Sequence, residues 1–349
     1  MLAFVKAYLI KSSLLCDVQD SLQDSDFANE IREGLGAKFR FIRPKNFYDE
    51  HGSKLFERIS VQPEYYLTRT ESSILENFKK EIRKVHQNCS LSIVELGSGN
   101  SSKTKILLKE FLPQDTALYY FPIDVSKTIL KESINSLAKE FKNLRIVGVC
   151  SDFCAGLEKV NDFISTYSEA PRKKLVIFLG SSIGNFDRSH VKIFLGRIRR
   201  LLNKGDSLLV GFDLQKERRF LEKAYNDKAG VTAQFNLNLL SRINRELAGE
   251  FDISSFKHEA IYNKSKKRIE MYLVSIRDQS VAIKGLGREY LFKKGDRIHT
   301  ENSHKFSISE INRLSKLSGF SVIKNYTDVQ KFYCLSLLGY VSGASKSSK

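Results

Sequence analysis

A glycine turn, two acids and a phenylalanine, each placed where an apolar run ends, are the residues whose spacing carries chemistry. Val94-Glu95-Leu96-Gly97-Ser98-Gly99 closes the first such run. Glycines at a turn of this kind let the backbone approach a ligand where a β-carbon would clash. The next run, Tyr119-Tyr120-Phe121-Pro122-Ile123-Asp124, ends in an acid 27 residues after Gly97. An acid at the end of a second strand can hold both hydroxyls of a ribose. A third run leads into Ser151-Asp152-Phe153, where the acid is placed for the adenine amine and the ring can stack on the base. Taken singly, Asp124 and Asp152 are equally good helix caps; only their combination with the glycine turn points to a nucleoside pocket. A dinucleotide fingerprint wants G-x-G-x-x-G, and Ser102 stands at its last position. A phosphate-free nucleoside such as S-adenosylmethionine therefore fits better.

A fourth run ends Phe178-Leu179-Gly180-Ser181-Ser182-Ile183-Gly184-Asn185-Phe186. In nucleoside methyltransferases this strand end usually faces the acceptor atom. The acid or Asn followed by two prolines and an aromatic, typical of adenine-N6 methylation, is absent. That absence argues against DNA base methylation, and the small residues leave room for a compact substrate.

These strand ends need a sheet to hold them. Apolar runs at Leu91 to Leu96, Leu118 to Ile123, Leu144 to Cys150, Leu175 to Leu179 and Ser207 to Phe212 alternate with helical periodicity, as in Ser126 to Phe141 and Arg188 to Leu202. Runs without internal alternation suit strands buried on both faces, as in a parallel sheet between helices. The expected fold is α/β: a doubly wound, Rossmann-like class I methyltransferase sheet. The turn after Leu96 is expected to open a helix carrying Ser101, Ser102 and Lys103. The rhythm breaks after Asp213. A long helical stretch, Phe220 to Leu247, precedes strand-like runs at Ile269 to Ile276 and Glu289 to Phe292. A helix at Ser307 to Leu317 then leads to two final strands, Phe320 to Tyr326 and Phe332 to Leu338, expected to pair as an antiparallel hairpin. Residues 79–215 and 306–349 thus read as the cofactor-binding domain, and 1–78 with 216–305 as a second, smaller α+β substrate lobe. There are no internal repeats, and the polar tail SGASKSSK reads as frayed.

Several stretches together resemble the histidine-specific Nα-methyltransferases of ergothioneine biosynthesis. They are Phe47-Tyr48-Asp49 with Gly52-Ser53, Pro63-Glu64-Tyr65-Tyr66-Leu67-Thr68-Arg69-Thr70-Glu71, the ELGSG turn with Lys103, Gly180 with Ile183-Gly184-Asn185, Ala224-Tyr225-Asn226-Asp227 with Gly230-Val231-Thr232, Phe235-Asn236-Leu237-Asn238, and Ile269-Glu270-Met271. The likeness runs from about residue 30 to 338. It implies that Gly97, Lys103, Asp124, Asp152 and Phe153 contact S-adenosylmethionine. It places Asn185 and Tyr225 on the substrate carboxylate, with Tyr48 and the Gly180 region facing the amine. Tyr48, Gly180 and Asn185 are thus the expected catalytic positions. Tyr65 closes the histidine pocket, Phe235 and Met271 line it, and Glu301 with Ser303 grips the imidazole. The chemistry of those two is apt, since a carboxylate accepts one imidazole N–H and a hydroxyl serves the other nitrogen. Without the resemblance, Glu301-Asn302-Ser303-His304-Lys305 reads as a polar surface loop. Asn100, Ser102 and Ser181-Ser182 depart from the family's glycine-richer pattern, but none replaces a named ligand.

Composition sets the remaining bounds. With 42% hydrophobic and 28% charged residues the chain is an ordinary globular protein. Lys6 and Lys11 interrupt the apolar start MLAFVKAYLIKSSLLC, no basic region precedes it and no cleavage site closes it. It reads as a short amphipathic helix or a mobile start. No run approaches the length of a membrane span. Cys16, Cys89, Cys150, Cys154 and Cys334 lack zinc-knuckle spacing and read as reduced thiols of a cytosolic protein, with no metal expected. The net charge of +17 is spread in short clusters, such as Lys264, Lys266, Lys267 and Arg268, or Arg197, Arg199 and Arg200. That spread favours a solvated surface over nucleic-acid binding. The expected protein is a monomer acting on free histidine. The alternatives are another free amino acid such as tryptophan, an RNA methyltransferase using the basic surface, or a silent cofactor-binding scaffold.

Overall fold

The computed structural model describes residues 6–10, 13–17, 23–86, 90–112, 118–167 and 169–341, with side chains from Phe27 onward. The tail expected to fray, the side chain of Cys16 and all of Cys89 lie outside the described residues. The chain divides into two compact units. The first comprises the described parts of residues 1–18 together with Arg69–Leu214 and the chain from Phe306; the second comprises the described parts of 19–68 with Gln215–Lys305.

In the first unit a nine-stranded sheet runs in the order Lys6–Ile10, Ser13–Asp17, Leu144–Cys150, Leu118–Asp124, Ser92–Leu96, Lys174–Phe178, Ser207–Asp213, Tyr333–Tyr340, Phe320–Thr327. The six strands from Ser13–Asp17 to Ser207–Asp213 are mutually parallel. Ser92–Leu96 and Ser207–Asp213 are buried along their whole length, as a sheet covered on both faces requires. The helix Lys127–Glu140 buries Leu130, Ile134 and Leu137, and the helix Phe153–Thr166 buries Leu157, Val160 and Ile164. The strand order reverses between Ser92–Leu96 and Lys174–Phe178, and ligands of such sheets sit at the carboxyl ends beside that reversal. The final strands pair antiparallel with each other and with Ser207–Asp213. The expected doubly wound sheet with a terminal hairpin is therefore present.

Three expectations for this unit change. The N-terminal segment is a β-hairpin, Lys6–Ile10 against Ser13–Asp17, whose second strand adds in parallel to Leu144–Cys150; it is not a helix. Short apolar segments read ambiguously between strand and helix, and here the open sheet edge decides. This pairing also moves that segment from the second unit to the first, and the first unit takes up the chain from Arg69 rather than from residue 79. Finally, the helix after the glycine turn starts at Thr104. Ser101, with φ of 54°, stands in a left-handed conformation ahead of it, which a helix interior does not admit.

The second unit holds a three-stranded antiparallel sheet, Arg297–His304, Arg268–Ser275, Phe256–Asn263, and a two-stranded ribbon, Gln279–Ile283 with Arg288–Phe292. The single helix expected over 220–247 is two helices, Arg218–Tyr225 and Val231–Leu247. Asn226 caps the first, its Nδ2 donating to the Glu222 carbonyl at 2.9 Å. Asp227 starts the second by accepting the N–H groups of Val231 and Thr232, each at 2.8 Å, and Gly230 takes a left-handed φ of 69°. The segment at 301–305, read without the resemblance as a surface loop, lies mostly in the strand Arg297–His304, with Ser303, His304 and Lys305 buried. No helix among the described residues is long and apolar enough to cross a membrane.

Candidate active site

Gly97 and Gly99 take φ of 70° and 50° at the end of Ser92–Leu96. A β-carbon on Gly97 would stand 3.2 Å from Phe153 Cε1, so the turn and that ring are neighbours. Phe153 is held edge-on against Phe178, with centroids 5.1 Å apart. Asp124, at the end of Leu118–Asp124, accepts the Gly99 N–H through Oδ2 and the Ser126 N–H through Oδ1, both at 2.9 Å. The backbone N–H of Val125 also bonds this carboxylate, which leaves it acceptor capacity for an incoming hydroxyl. Burial pushes the Asp124 carboxyl above its usual range, opposed by the N–H groups of Ser126 and Gly99. Asp152 caps the helix Phe153–Thr166 through Oδ1, accepting from Cys154 N at 2.9 Å and Ala155 N at 3.0 Å. The capping role and the ligand role are thus compatible, since Oδ2 is not used by the cap. Ser98 adds a direct test of fit: its buried hydroxyl has no hydrogen-bond partner among the described residues. A buried, unsatisfied hydroxyl in a left-handed glycine turn is the feature a polar ligand completes.

Beneath the turn lies a polar network that sequence reasoning missed. Glu95 is buried and accepts from Thr104 Oγ1 at 2.5 Å and from the Tyr120 hydroxyl. Tyr120 in turn contacts Ser101 Oγ at 2.8 Å, and Ser133 Oγ donates to Ser101 Oγ at 2.8 Å. Burial pushes Glu95 up to about 7, against the pull of the Thr104 and Tyr120 hydroxyls and the Lys103 charge.

At the end of Lys174–Phe178 the backbone turns through two left-handed residues, Gly180 with φ of 78° and Ser181 with φ of 57°. Ser181 Oγ accepts the Asp213 N–H at 2.9 Å, which fixes the turn to the neighbouring strand. Asn185 ends the short 3-10 turn that follows, Ser182–Asn185. Lys103 reaches this region: a β-carbon on Gly180 would stand 3.3 Å from its Nζ. Lys103 pairs with Glu71 at 2.5 Å, which leaves its ammonium two further donors.

In the second unit the expected substrate residues other than Asn185, which lies in the first unit, form one connected set. Phe235 stacks on Phe47 at 4.4 Å and meets Tyr48 and Phe56 at 6.0 Å each. Phe56 meets Tyr65, and Tyr65 meets Tyr225, each at 6.3 Å. The Tyr225 hydroxyl hydrogen-bonds Ser303 Oγ at 2.7 Å. Ser303 lies two residues from Glu301 on one strand, so both side chains project to the same face, and Met271 stands opposite Glu301 in the register. Tyr48, Tyr65, Tyr225, Phe235, Met271, Glu301 and Ser303 are thus linked through rings, a hydroxyl pair and a strand pair.

Two further groups support Tyr225 and were not anticipated. Lys305, wholly buried, donates to Ser303 Oγ at 2.8 Å and to the Tyr225 hydroxyl at 3.1 Å. His258 donates from Nε2 to the Tyr225 carbonyl at 2.8 Å, which leaves Nδ1 to accept from Asn236 Nδ2 at 2.9 Å. Burial lowers the His258 pKa, consistent with this neutral tautomer. The Lys305 position follows directly on the motif of Glu301 and Ser303, but a lone lysine after a histidine gives no sign of burial.

A family model described as histidine-specific, S-adenosylmethionine-dependent methyltransferase matches residues 27–340. The chain is 39% identical over 277 residues to a histidine N-alpha-methyltransferase of Mycolicibacterium smegmatis, covering 79% of this chain and 83% of that protein. It is 36% identical over 310 residues to a histidine N-alpha-methyltransferase of Mycobacterium tuberculosis, covering 88% of this chain and 93% of that protein. It is also 29% identical over 286 residues to ergothioneine biosynthesis protein 1 of Schizosaccharomyces pombe, covering 80% of this chain and 36% of that longer protein.

Proposed function

Since the chain belongs to the family of histidine-specific, S-adenosylmethionine-dependent methyltransferases, we infer that it methylates the α-amino nitrogen of free histidine, as a step toward ergothioneine. The observation that carries this reading is the family match across residues 27–340. The grouping of Tyr225, Met271, Glu301 and Ser303 supports it.

When bound, S-adenosylmethionine supplies an electrophilic methyl group on its sulfonium. On this reading Gly97 gives the donor room at the turn, Asp124 accepts from the ribose hydroxyls, and Asp152 with Phe153 takes the adenine. Lys103 offers its two remaining N–H donors to the donor's carboxylate. In the second unit, read as the histidine-binding lobe, Glu301 accepts an imidazole N–H and Ser303 serves the other nitrogen, while Phe235, Met271 and Tyr65 enclose the ring. Tyr225 holds the substrate carboxylate; for Asn185, in the first unit, the substrate role rests on the family resemblance alone. Methyl transfer is an in-line displacement, so positioning is the main catalytic contribution, on the order of 7–11 kcal/mol for well-aligned reactants. The amine must lose a proton before each transfer, and Tyr48 or a water beside Gly180 relays it. Small residues at 180–182 and 184 admit successive methyl groups, giving the trimethyl betaine hercynine. The enzyme acts as a cytosolic monomer.

Incubation with S-adenosylmethionine and free histidine tests the reading by mass spectrometry, with gains of one, two and three methyl groups expected. A panel of free amino acids and RNA runs beside it. Methylation of tryptophan or RNA in place of histidine would overturn the substrate assignment.

A further inference from the structure

Glu71 occupies the buried face of the helix Tyr66–Lys84, alongside Ile74 and Leu75, and is itself wholly buried. An apolar side chain is the ordinary occupant of such a position, because a buried carboxylate costs free energy unless its oxygens are satisfied. Here every contact comes from a donor. Lys103 Nζ donates to Oε2 at 2.5 Å, the Gly180 N–H is shared between Oε2 at 2.9 Å and Oε1 at 3.0 Å, and the Tyr333 hydroxyl donates to Oε1 at 2.8 Å. That is the arrangement an ionised carboxylate satisfies.

Two of these partners are the groups that the functional reading places on the methyl donor and near the acceptor amine. Holding the Gly180 N–H also fixes the whole peptide before it. In a trans peptide the Leu179 carbonyl points the opposite way, where the Ser182 hydroxyl donates to it at 3.3 Å. The peptide between Leu179 and Gly180 is thereby pinned from both sides, at a residue already in the left-handed region.

We propose that Glu71 is a positioning residue for methyl transfer, its carboxylate tying the Lys103 ammonium, after the strand Ser92–Leu96, to the Gly180 peptide at the end of Lys174–Phe178. The assignment rests on the methyltransferase reading above, and Glu71 acts through these two neighbours.

The test compares wild type, Glu71→Gln, Glu71→Asp and Tyr333→Phe in two assays: calorimetric binding of S-adenosylhomocysteine, and steady-state turnover with histidine. Glu71→Gln loses one acceptor oxygen. It is expected to bind the nucleoside about tenfold more weakly, the size of one charge-assisted hydrogen bond, and to lose kcat with histidine by more than its KM changes. Affinity within about twofold of wild type, a difference too small for one such bond, overturns the proposal whatever the histidine assay shows. Should the Gln variant not fold, Glu71→Asp, which keeps the charge but shortens the reach, is judged by the same binding criterion. Tyr333→Phe removes one donor to Oε1 and leaves the Lys103 and Gly180 bonds to Glu71 in place, so it is expected to lower the thermal midpoint while keeping nucleoside affinity. Equal loss of affinity per degree of lost midpoint in both variants would reduce Glu71 to a structural role and overturn the proposal. A wild type inactive on histidine, beside a Glu71→Gln variant that still loses nucleoside affinity, sinks the substrate reading and supports the Lys103 arm.

Discussion

The carboxylate of Asp124 is fastened to the backbone of Gly99, accepting its N–H at 2.9 Å. The acid that ends one strand therefore shapes the glycine turn that ends its neighbour, and any change at Asp124 acts on both. Asp124→Asn keeps the shape but must turn an NH2 group toward at least one of the backbone N–H groups that the carboxylate accepts, so hydrogen bonding to the turn is lost. S-adenosylhomocysteine affinity is expected to fall by about tenfold or more, for the loss of a charge-assisted bond of roughly 1.5–3 kcal/mol. Calorimetry on the purified variant checks this, and undiminished affinity would remove Asp124 from the nucleoside site.

Glu95 makes the same turn sensitive to pH. Its folded pKa, pushed up to about 7 chiefly by burial, lies above the value of an unfolded glutamate. Its contribution to stability is then fully present below about pH 4.5 and is lost as pH rises through about 7. Glu95→Gln cannot ionise and is expected to show a flatter profile. Between about pH 5 and pH 8, wild type should lose on the order of 3 kcal/mol of unfolding free energy relative to the variant. Urea denaturation at intervals across that range measures the difference, and parallel profiles would show that Glu95 does not titrate there.

Much of the first unit was legible because each strand is a short apolar run closed by a distinctive residue. Gly97, Asp124 and Asp152 mark strand ends in the sequence as they do in the structure. Glu71 was not legible as a centre of contacts. It is one acid on an amphipathic helix with others such as Glu76, and one of its partners, Gly180, lies 109 residues away. The strand Arg297–His304 was equally hidden, since its His-Thr-Glu-Asn-Ser-His stretch lacks the apolar alternation that announces a half-buried strand. Its pairing with Arg268–Ser275 supplies what the local pattern lacks. Glu301 and Ser303 were reached only through the family resemblance. The ring series from Tyr48 to Tyr225 is a product of tertiary packing, which no local spacing encodes.

Gly211 explains how Glu71 fits. A β-carbon at 211 would collide with Glu71 Oε1 and with the Tyr333 hydroxyl, and both residues are buried. Gly211→Ala is expected to cost about 1–3 kcal/mol, the usual range for overpacking. It should also displace the carboxylate from the Gly180 N–H. Thermal unfolding together with turnover on histidine reads both effects. A variant as stable and active as wild type would mean that this cluster relaxes freely.

A change at Glu301 tests substrate recognition apart from donor binding. It lies on the strand Arg297–His304 in the second unit, opposite Met271 and two residues from Ser303, whereas the glycine turn, Asp124 and Phe153 belong to the first. If its carboxylate accepts an imidazole N–H, Glu301→Ala leaves that donor without its partner. Sites built on such partners discriminate strongly when one is missing. The expected loss in kcat/KM for histidine is roughly 100-fold, with S-adenosylhomocysteine affinity unchanged. Glu301→Gln keeps an acceptor oxygen without the charge and should fall between wild type and the alanine variant. The two quantities are measured on the same preparations, by steady-state kinetics and by calorimetry. Parallel loss of turnover and nucleoside affinity in Glu301→Ala would place residue 301 in general folding rather than in recognition of the imidazole.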